Sequence, residues 1–396
     1  MSPSSLSERW LVVFIATVQF INIVDFMMVA PLGPDLAEGL GIATSQMGIV
    51  TGVYAGGATI SSLLAAKWLD RFPRRSAMVF CLLGLALGTT AAALSFNASS
   101  LLAARMLAGA FGGPAMALAM AILIDAIPAE RRGRAMGQVA GAFSLASVLG
   151  VPAGLELARW GSWHTPFWVI GGFTFALALV AARLLPHQAV QHRNLPPSWP
   201  MLYRPGTPRL GLVMLAISVM SGFLLIPHLS TFYQLNLNYP REDIGMLYLV
   251  GGALSFFSMR LAGRCSDRFG PLSVSLVTTL GYLLVLWVTF IHTQSWLPIM
   301  VMFVSFMLMR TSLSVAVNTQ LTWVPPPEQR AAFMSLKTAV QHAASAAAGI
   351  VSTWVLSEHA NGALQHMATL AVLAAVLAVL QPLLMARLQK QITHKQ

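Results

Sequence analysis

Charge is scarce in this sequence: Asp, Glu, Lys and Arg make up 9% of 396 residues, where a soluble globular domain carries roughly 25%. So few charges cannot clothe a water-facing surface, which excludes an ordinary soluble domain. Cysteine is scarcer, with only Cys81 in an apolar run and Cys265 beside a basic loop. That pair offers neither a disulfide framework nor a metal site. The Walker A loop, a paired-cysteine zinc pattern, H-E-x-x-H and G-x-S-x-G are all missing, so an enzyme is disfavoured and no cofactor is expected. The first ten residues, MSPSSLSERW, lack the look of a signal peptide, and the apolar run behind them is too long for an h-region. That run is expected to remain as the first helix.

What is abundant is apolar sequence, 56% of the chain. It comes in runs of about 20 residues or more, each long enough to cross a bilayer as a helix. The pattern predicts an all-α membrane protein with twelve transmembrane helices. They fall at about 10–34, 45–68, 75–95, 99–127, 133–158, 165–185, 209–237, 242–266, 271–292, 296–323, 329–356 and 363–386. The longest polar stretch, 186–208, carries Pro186, Pro196, Pro197, Pro200, Pro205 and Pro208, and proline at that density cannot continue a helix. It is expected to be a cytoplasmic linker between an amino-terminal bundle, 1–185, and a carboxy-terminal bundle with a short tail, 209–396.

The formal net charge of +11 follows from topology. About 20 of the 24 Lys and Arg fall at ends assigned to the cytoplasm, the distribution expected from the positive-inside rule. Both termini are then cytoplasmic, and the excess charge does not point to nucleic acid. The expected partner is then the lipid bilayer.

A charged hinge between the second and third spans, AKWLDRFPRR, returns later as AGRCSDRFGPL. Asp70, Arg71 and Phe72 match Asp267, Arg268 and Phe269 at an offset of 197; Glu130, Arg132 and Met136 match Glu328, Arg330 and Met334 at 198. Arg105 and Arg310 both lie inside the fourth helix of their halves. These anchors describe a two-fold repeat of six helices, with both halves the same way up in the membrane.

This arrangement resembles the major facilitator superfamily, in particular its twelve-helix drug:proton antiporter branch, over essentially the whole chain. The family's loop pattern G-x-x-x-D-R-x-G-R-[RK] is matched by Asp70, Arg71, Arg74 and Arg75, with Ala66 and Pro73 in place of the glycines. The second copy keeps Gly263, Asp267, Arg268 and Gly270 but has Pro271 and Leu272 where the arginines would stand. The fourth-helix pattern resembles Arg105-Met-Leu-Ala-Gly109, and the antiporter pattern of the fifth is approximated by Gly150-Val-Pro152-Ala-Gly154. The resemblance implies alternating access, with Asp70 in a cytoplasmic latch with the eleventh helix. Arg71, Arg74, Arg75, Asp125, Asp267 and Arg268 are the other gate candidates. It favours a proton-coupled exporter of small organic or amphipathic compounds, with a small-molecule substrate and protons as partners, acting as a monomer in a bacterial inner membrane. A facilitator or importer of a small anionic metabolite on the same fold, and a non-transporting membrane sensor, are the alternatives.

Asp25 is the one acid far from a span end, where a carboxylate costs at least a few kcal/mol unless it finds a partner, a cavity or a proton. A structural salt bridge and a proton site both fit. Arg105 is the candidate partner, at a depth differing by about 4–5 Å. Asn22, about one turn from Asp25, is a candidate substrate-binding residue. The second half has no embedded acid, yet carries Arg310, Lys337, His342 and His228. Lys337 either snorkels to the cytoplasm or lines a cavity. The histidines fit packing or a substrate site, and Arg310 fits carbonyl bonding or an anionic substrate. On the fifth helix Ala142, Ala146, Gly150, Gly154 and Ala158 form a small-residue stripe, either static packing or a sliding seam loosened by Pro152.

Overall fold

The computed structural model describes residues 8–68, 72–185, 206–292, 297–325 and 330–393. Nearly all of them are helical, in two pseudo-symmetric six-helix bundles. Among the described residues, ten helical segments are long and apolar enough to cross a membrane. Two more hold the fifth and eleventh places. The fifth is Ala129–Leu145 and Val151–Trp160 joined through a π turn, Ala146–Gly150. The eleventh is Arg330–Val355, made less apolar by Lys337, Gln341 and His342.

The chain divides into two compact units, Met1–Ile42 with Val53–Asn194, and Ala43–Gly52 with Leu195–Gln396. Ala43–Gly52, which includes the start of the second span, thus groups with the second half. In the first unit Ile15, Val18, Leu82, Leu118, Ile122 and Ala178 form the main core. In the second, Leu215, Val219, Val317, Leu321, Phe333 and Met385 do so. Lipid tails are as apolar as these side chains, so the contacts stabilise chiefly by close packing.

Helix ends follow local chemistry. The fourth span, Ala98–Ala126, starts at a capping box in which Asn97 Oδ1 accepts from the Ser100 N–H at 2.8 Å and Ser100 Oγ accepts from the Asn97 N–H at 3.1 Å. The first span runs Glu8–Met27 and not to Pro34. Pro31 and Pro34 disfavour the helical conformation of the residues before them, and turns to Leu32 lead into a short helix, Gly33–Leu40, inside the expected loop. The seventh span is also broken. Its helix Thr207–Phe223 gives way to a 3-10 turn, Ile226–His228, then to Leu229–Thr231 and a π turn, Phe232–Asn236. Pro227, which cannot donate a backbone hydrogen bond, sits in the break. Between the last two spans, β1 (Ser357–Glu358) pairs antiparallel with β2 (Leu364–Gln365) before the final helix, Met367–Thr393.

Candidate functional site

Asp25 and Arg105, 80 residues apart in sequence, meet in the first unit with both side chains fully buried. Arg105 Nη1 donates to Asp25 Oδ1 at 3.1 Å, and Nη2 donates to the Asp25 carbonyl oxygen at 3.0 Å. Thr89 Oγ1 donates to the same Oδ1, also at 3.1 Å. The Arg105 guanidinium carbon lies 4.5 Å from the centre of the Tyr54 ring, a cation–π contact strengthened by the burial of both groups. Asp25 Oδ2 is buried and has no hydrogen-bond partner among the described residues. The carboxylate therefore has one oxygen doubly occupied and one free.

Gly109, one turn beyond Arg105, sets this geometry. A Cβ there would overlap the Tyr54 carbonyl oxygen, so only glycine lets the second span, Met47–Trp68, come this close to the fourth. Asn22 sits beside the pair: its Nδ2 donates to the Val18 carbonyl at 3.2 Å, and Tyr54 Oη donates to its Oδ1 at 3.5 Å. Neither Tyr54 nor Thr89 was singled out from the sequence. Tyr54 was the more legible, as an aromatic in a helix otherwise rich in Gly and Ala.

Arg310 lies on the tenth span, Ile299–Leu321, in the second unit. Its Nη2 donates to the Ser218 carbonyl at 2.7 Å, while Nε and Nη1 are buried with no partner among the described residues. The guanidinium occupies the space beside Gly222, where any Cβ would overlap Nε. Tyr282 Oη donates to the Ser221 carbonyl at 3.3 Å nearby. His228 Nε2 is 2.9 Å from Ser352 Oγ. That hydroxyl donates to the Gly349 carbonyl, also at 2.9 Å, so the histidine is the donor in the first bond. Lys337 and His342 are half-buried on the eleventh span and bond to nothing among the described residues. Arg310, His228, Lys337 and His342 share a unit but no hydrogen-bond network.

Of the gate candidates, Asp70 and Arg71 lie outside the described residues. Arg74 pairs with Asp125 across 3.5 Å, and Arg75 donates to the Ala182 carbonyl. Asp267 and Arg268 are exposed in the last turn of the eighth span, Ile244–Phe269. Arg268 lies over the Phe269 ring at 5.2 Å, and Asp267 has no ion pair among the described residues. Gly150 is a packing position: a Cβ there would overlap Val24 Cγ2 of the first span. Gly154 is looser, with Met28 Cβ at ordinary contact distance. Pro152 stands in the first turn after the π turn, where its missing N–H removes a helical bond.

A repeated six-helix fold that buries a carboxylate–guanidinium pair in an apolar interior defines a multi-pass membrane protein. The sequence model of the Major Facilitator Superfamily matches residues 15–349, with a further match over 211–393, and the chain belongs to that family. Its solvent is accordingly the lipid bilayer.

A chloramphenicol resistance protein of Streptomyces lividans is 28% identical over 245 residues, 61% of this chain and 62% of that protein. The match therefore spans about three fifths of that relative's length. A Helicobacter pylori (strain HPAG1) protein named "Probable sugar efflux transporter" is 28% identical over 295 residues, 72% of this chain and 75% of its own. A bacterial homolog of the human lysosomal transporter Spinster superposes with a TM-score of 0.77 over 98% of this chain and 99% of that chain. At 14% identity this last likeness speaks to the fold alone.

Proposed function

We propose that this protein is a proton-coupled exporter of small organic compounds, working as a monomer by alternating access, with Asp25 as the proton carrier. The carrying observation is the unequal use of the Asp25 oxygens. Oδ1 holds Arg105 and Thr89, while Oδ2 is free among the described residues. A proton can therefore be added at Oδ2 without displacing either donor. Protonation weakens the Arg105–Asp25 attraction, and deprotonation restores it, so the pair responds to the proton as a two-state element. Arg105 cannot take the carrier's part, because a guanidinium does not give up its proton in a protein.

The relatives named for resistance and efflux support the export direction. The basic loops support cytoplasmic termini and a bacterial inner-membrane location. In this reading the Asp70–Arg75 hinge, Asp125, Asp267 and Arg268 form cytoplasmic gates, and residues 186–208 link the bundles. Purified protein in liposomes, with and without an imposed pH gradient, tests the proposal. Asp25→Asn should lose gradient-driven transport while keeping substrate exchange. Full gradient-driven transport by that variant rejects it and leaves a facilitator whose ion pair is structural.

A further inference from the structure

The two embedded arginines are bound alike except at one atom. In the first unit Arg105 Nη2 donates to a backbone carbonyl and Nη1 to a carboxylate oxygen, both belonging to Asp25. In the second unit Arg310 Nη2 donates to a backbone carbonyl, that of Ser218, and Nη1 donates to nothing among the described residues. Nε has no partner among the described residues in either.

The sequence repeat explains the missing acceptor. Asp25 and Gly222 are 197 residues apart, the same offset as Asp70 and Asp267. The position that holds the counter-ion in one half is thus a glycine in the other. That glycine is the residue whose Cβ would collide with Arg310. The second half carries its arginine at an offset of 205 from Arg105, about two turns further along the helix than the repeat would place it. It has no acid on the helix that this arginine meets, and the guanidinium fills the space that a side chain at position 222 would take. The five acids of its sequence, Glu242, Asp243, Asp267, Glu328 and Glu358, stand far along the chain from Arg310. The described four lie in a 3-10 turn, in the last turn of a helix and in the hairpin, and Glu358 is already engaged by Thr44 and the Ser45 N–H.

A guanidinium in an apolar interior cannot lose its charge to escape the cost of burial. It needs an acceptor. Its planar fork matches the two oxygens of a carboxylate, and an acceptor of that kind is what Asp25 provides in the other half. We infer that Arg310 is a substrate-anion site, and that the carboxylate of a transported organic acid supplies the counter-ion which Gly222 leaves out. The inference rests on the transport reading above and deepens it by naming the substrate class. The first unit then handles the proton and the second recognises the anion, each through one arginine.

The test uses the full-length protein in lipid nanodiscs and three matched probes: phenylbutyrate, its amide and the corresponding amine. Stabilisation against heat reports binding without requiring transport. Wild type should be stabilised by millimolar phenylbutyrate, with the amide and amine weaker by about tenfold or more, as expected for loss of a charge-assisted contact. Arg310→Gln should bring the carboxylate down to the level of the amide.

Gly222→Asp should do the same by another route: its Cβ overlaps Nε, so the guanidinium must shift, and its carboxylate then competes with the ligand's for the same donors. If Arg310→Gln does not fold, Arg310→Lys takes its place. It keeps the charge but loses the fork, so carboxylate binding should fall towards that of the amide. Equal binding of the three probes, preference for the amine, or no stabilisation by phenylbutyrate overturns the inference. A carboxylate preference that survives the Arg310 and Gly222 substitutions overturns it as well. Loss of pH coupling with carboxylate preference intact counts only against the proton-carrier reading.

Discussion

Replacing Asp25 by Asn and Arg105 by Gln, singly and together, separates what the pair does for stability from what it does for coupling. Both side chains are fully buried, and removing one partner of such a pair typically costs about 3–5 kcal/mol, because the other charge is left uncompensated. The two single substitutions should not be equal. Asp25→Asn strands a guanidinium that must stay charged, so its loss belongs at the upper end of that range. Arg105→Gln strands a carboxylate that can neutralise itself by taking a proton, so its loss should be smaller. The double variant pairs two neutral amides of similar reach. It should recover part of the loss, with a coupling energy within the range of about 0.5–3 kcal/mol seen for contacting residues.

The assay is already present in the chain. Cys81 is 2% exposed in the third span, Arg74–Ala93, so once the partly exposed Cys265 is replaced by Ser its reaction with a fluorogenic maleimide reports unfolding. Transport in liposomes under a pH gradient is measured on the same four proteins. A carrier role for Asp25 requires that the double variant regain stability without gradient-driven transport. Recovery of both together would refute it. Wild-type stability in Asp25→Asn would refute the energetic reasoning itself.

Three further outcomes follow from packing and hydrogen bonding. Ser352→Ala leaves the buried His228 Nε2–H without its acceptor and should cost about 1–3 kcal/mol, read by the same thiol assay; no loss would contradict the bond. Gly349→Leu forces a side chain into the Gly48 carbonyl, an overpacking expected to cost about 1–3 kcal/mol or more, and a normal melting temperature would show that the close approach is not needed. Asp125→Asn breaks a largely buried pair, at 17% and 11% exposure. Its effect on unfolding should lie between the roughly 1 kcal/mol of an exposed pair and the roughly 3–5 kcal/mol of a fully buried one; a loss larger than that of Asp25→Asn would contradict the burial argument.

Sequence alone determined the class of the fold, because a bilayer leaves a chain this poor in charge few options. Backbone groups in lipid must bond internally, so apolar runs of about 20 residues become helices. The Asp70–Phe72 and Asp267–Phe269 copies made the two-fold repeat legible, and the basic loops carried the expected orientation. The candidate pair could be named because Asp25 and Arg105 are expensive where they stand. Tertiary structure decided what they touch. Whether two residues 80 positions apart face each other depends on helix rotation, and that rotation is set by steric detail such as Gly109 against Tyr54. Single irregularities also escaped the periodic pattern. The first span ends before Pro31, and the seventh breaks at Pro227, because one lost N–H or one crowded residue outweighs the propensity of its neighbours. Gly222 was silent as a sequence position, since a glycine among apolar residues carries no charge or pattern of its own. It gained meaning only when the fold placed the Arg310 guanidinium in the space that its missing side chain leaves.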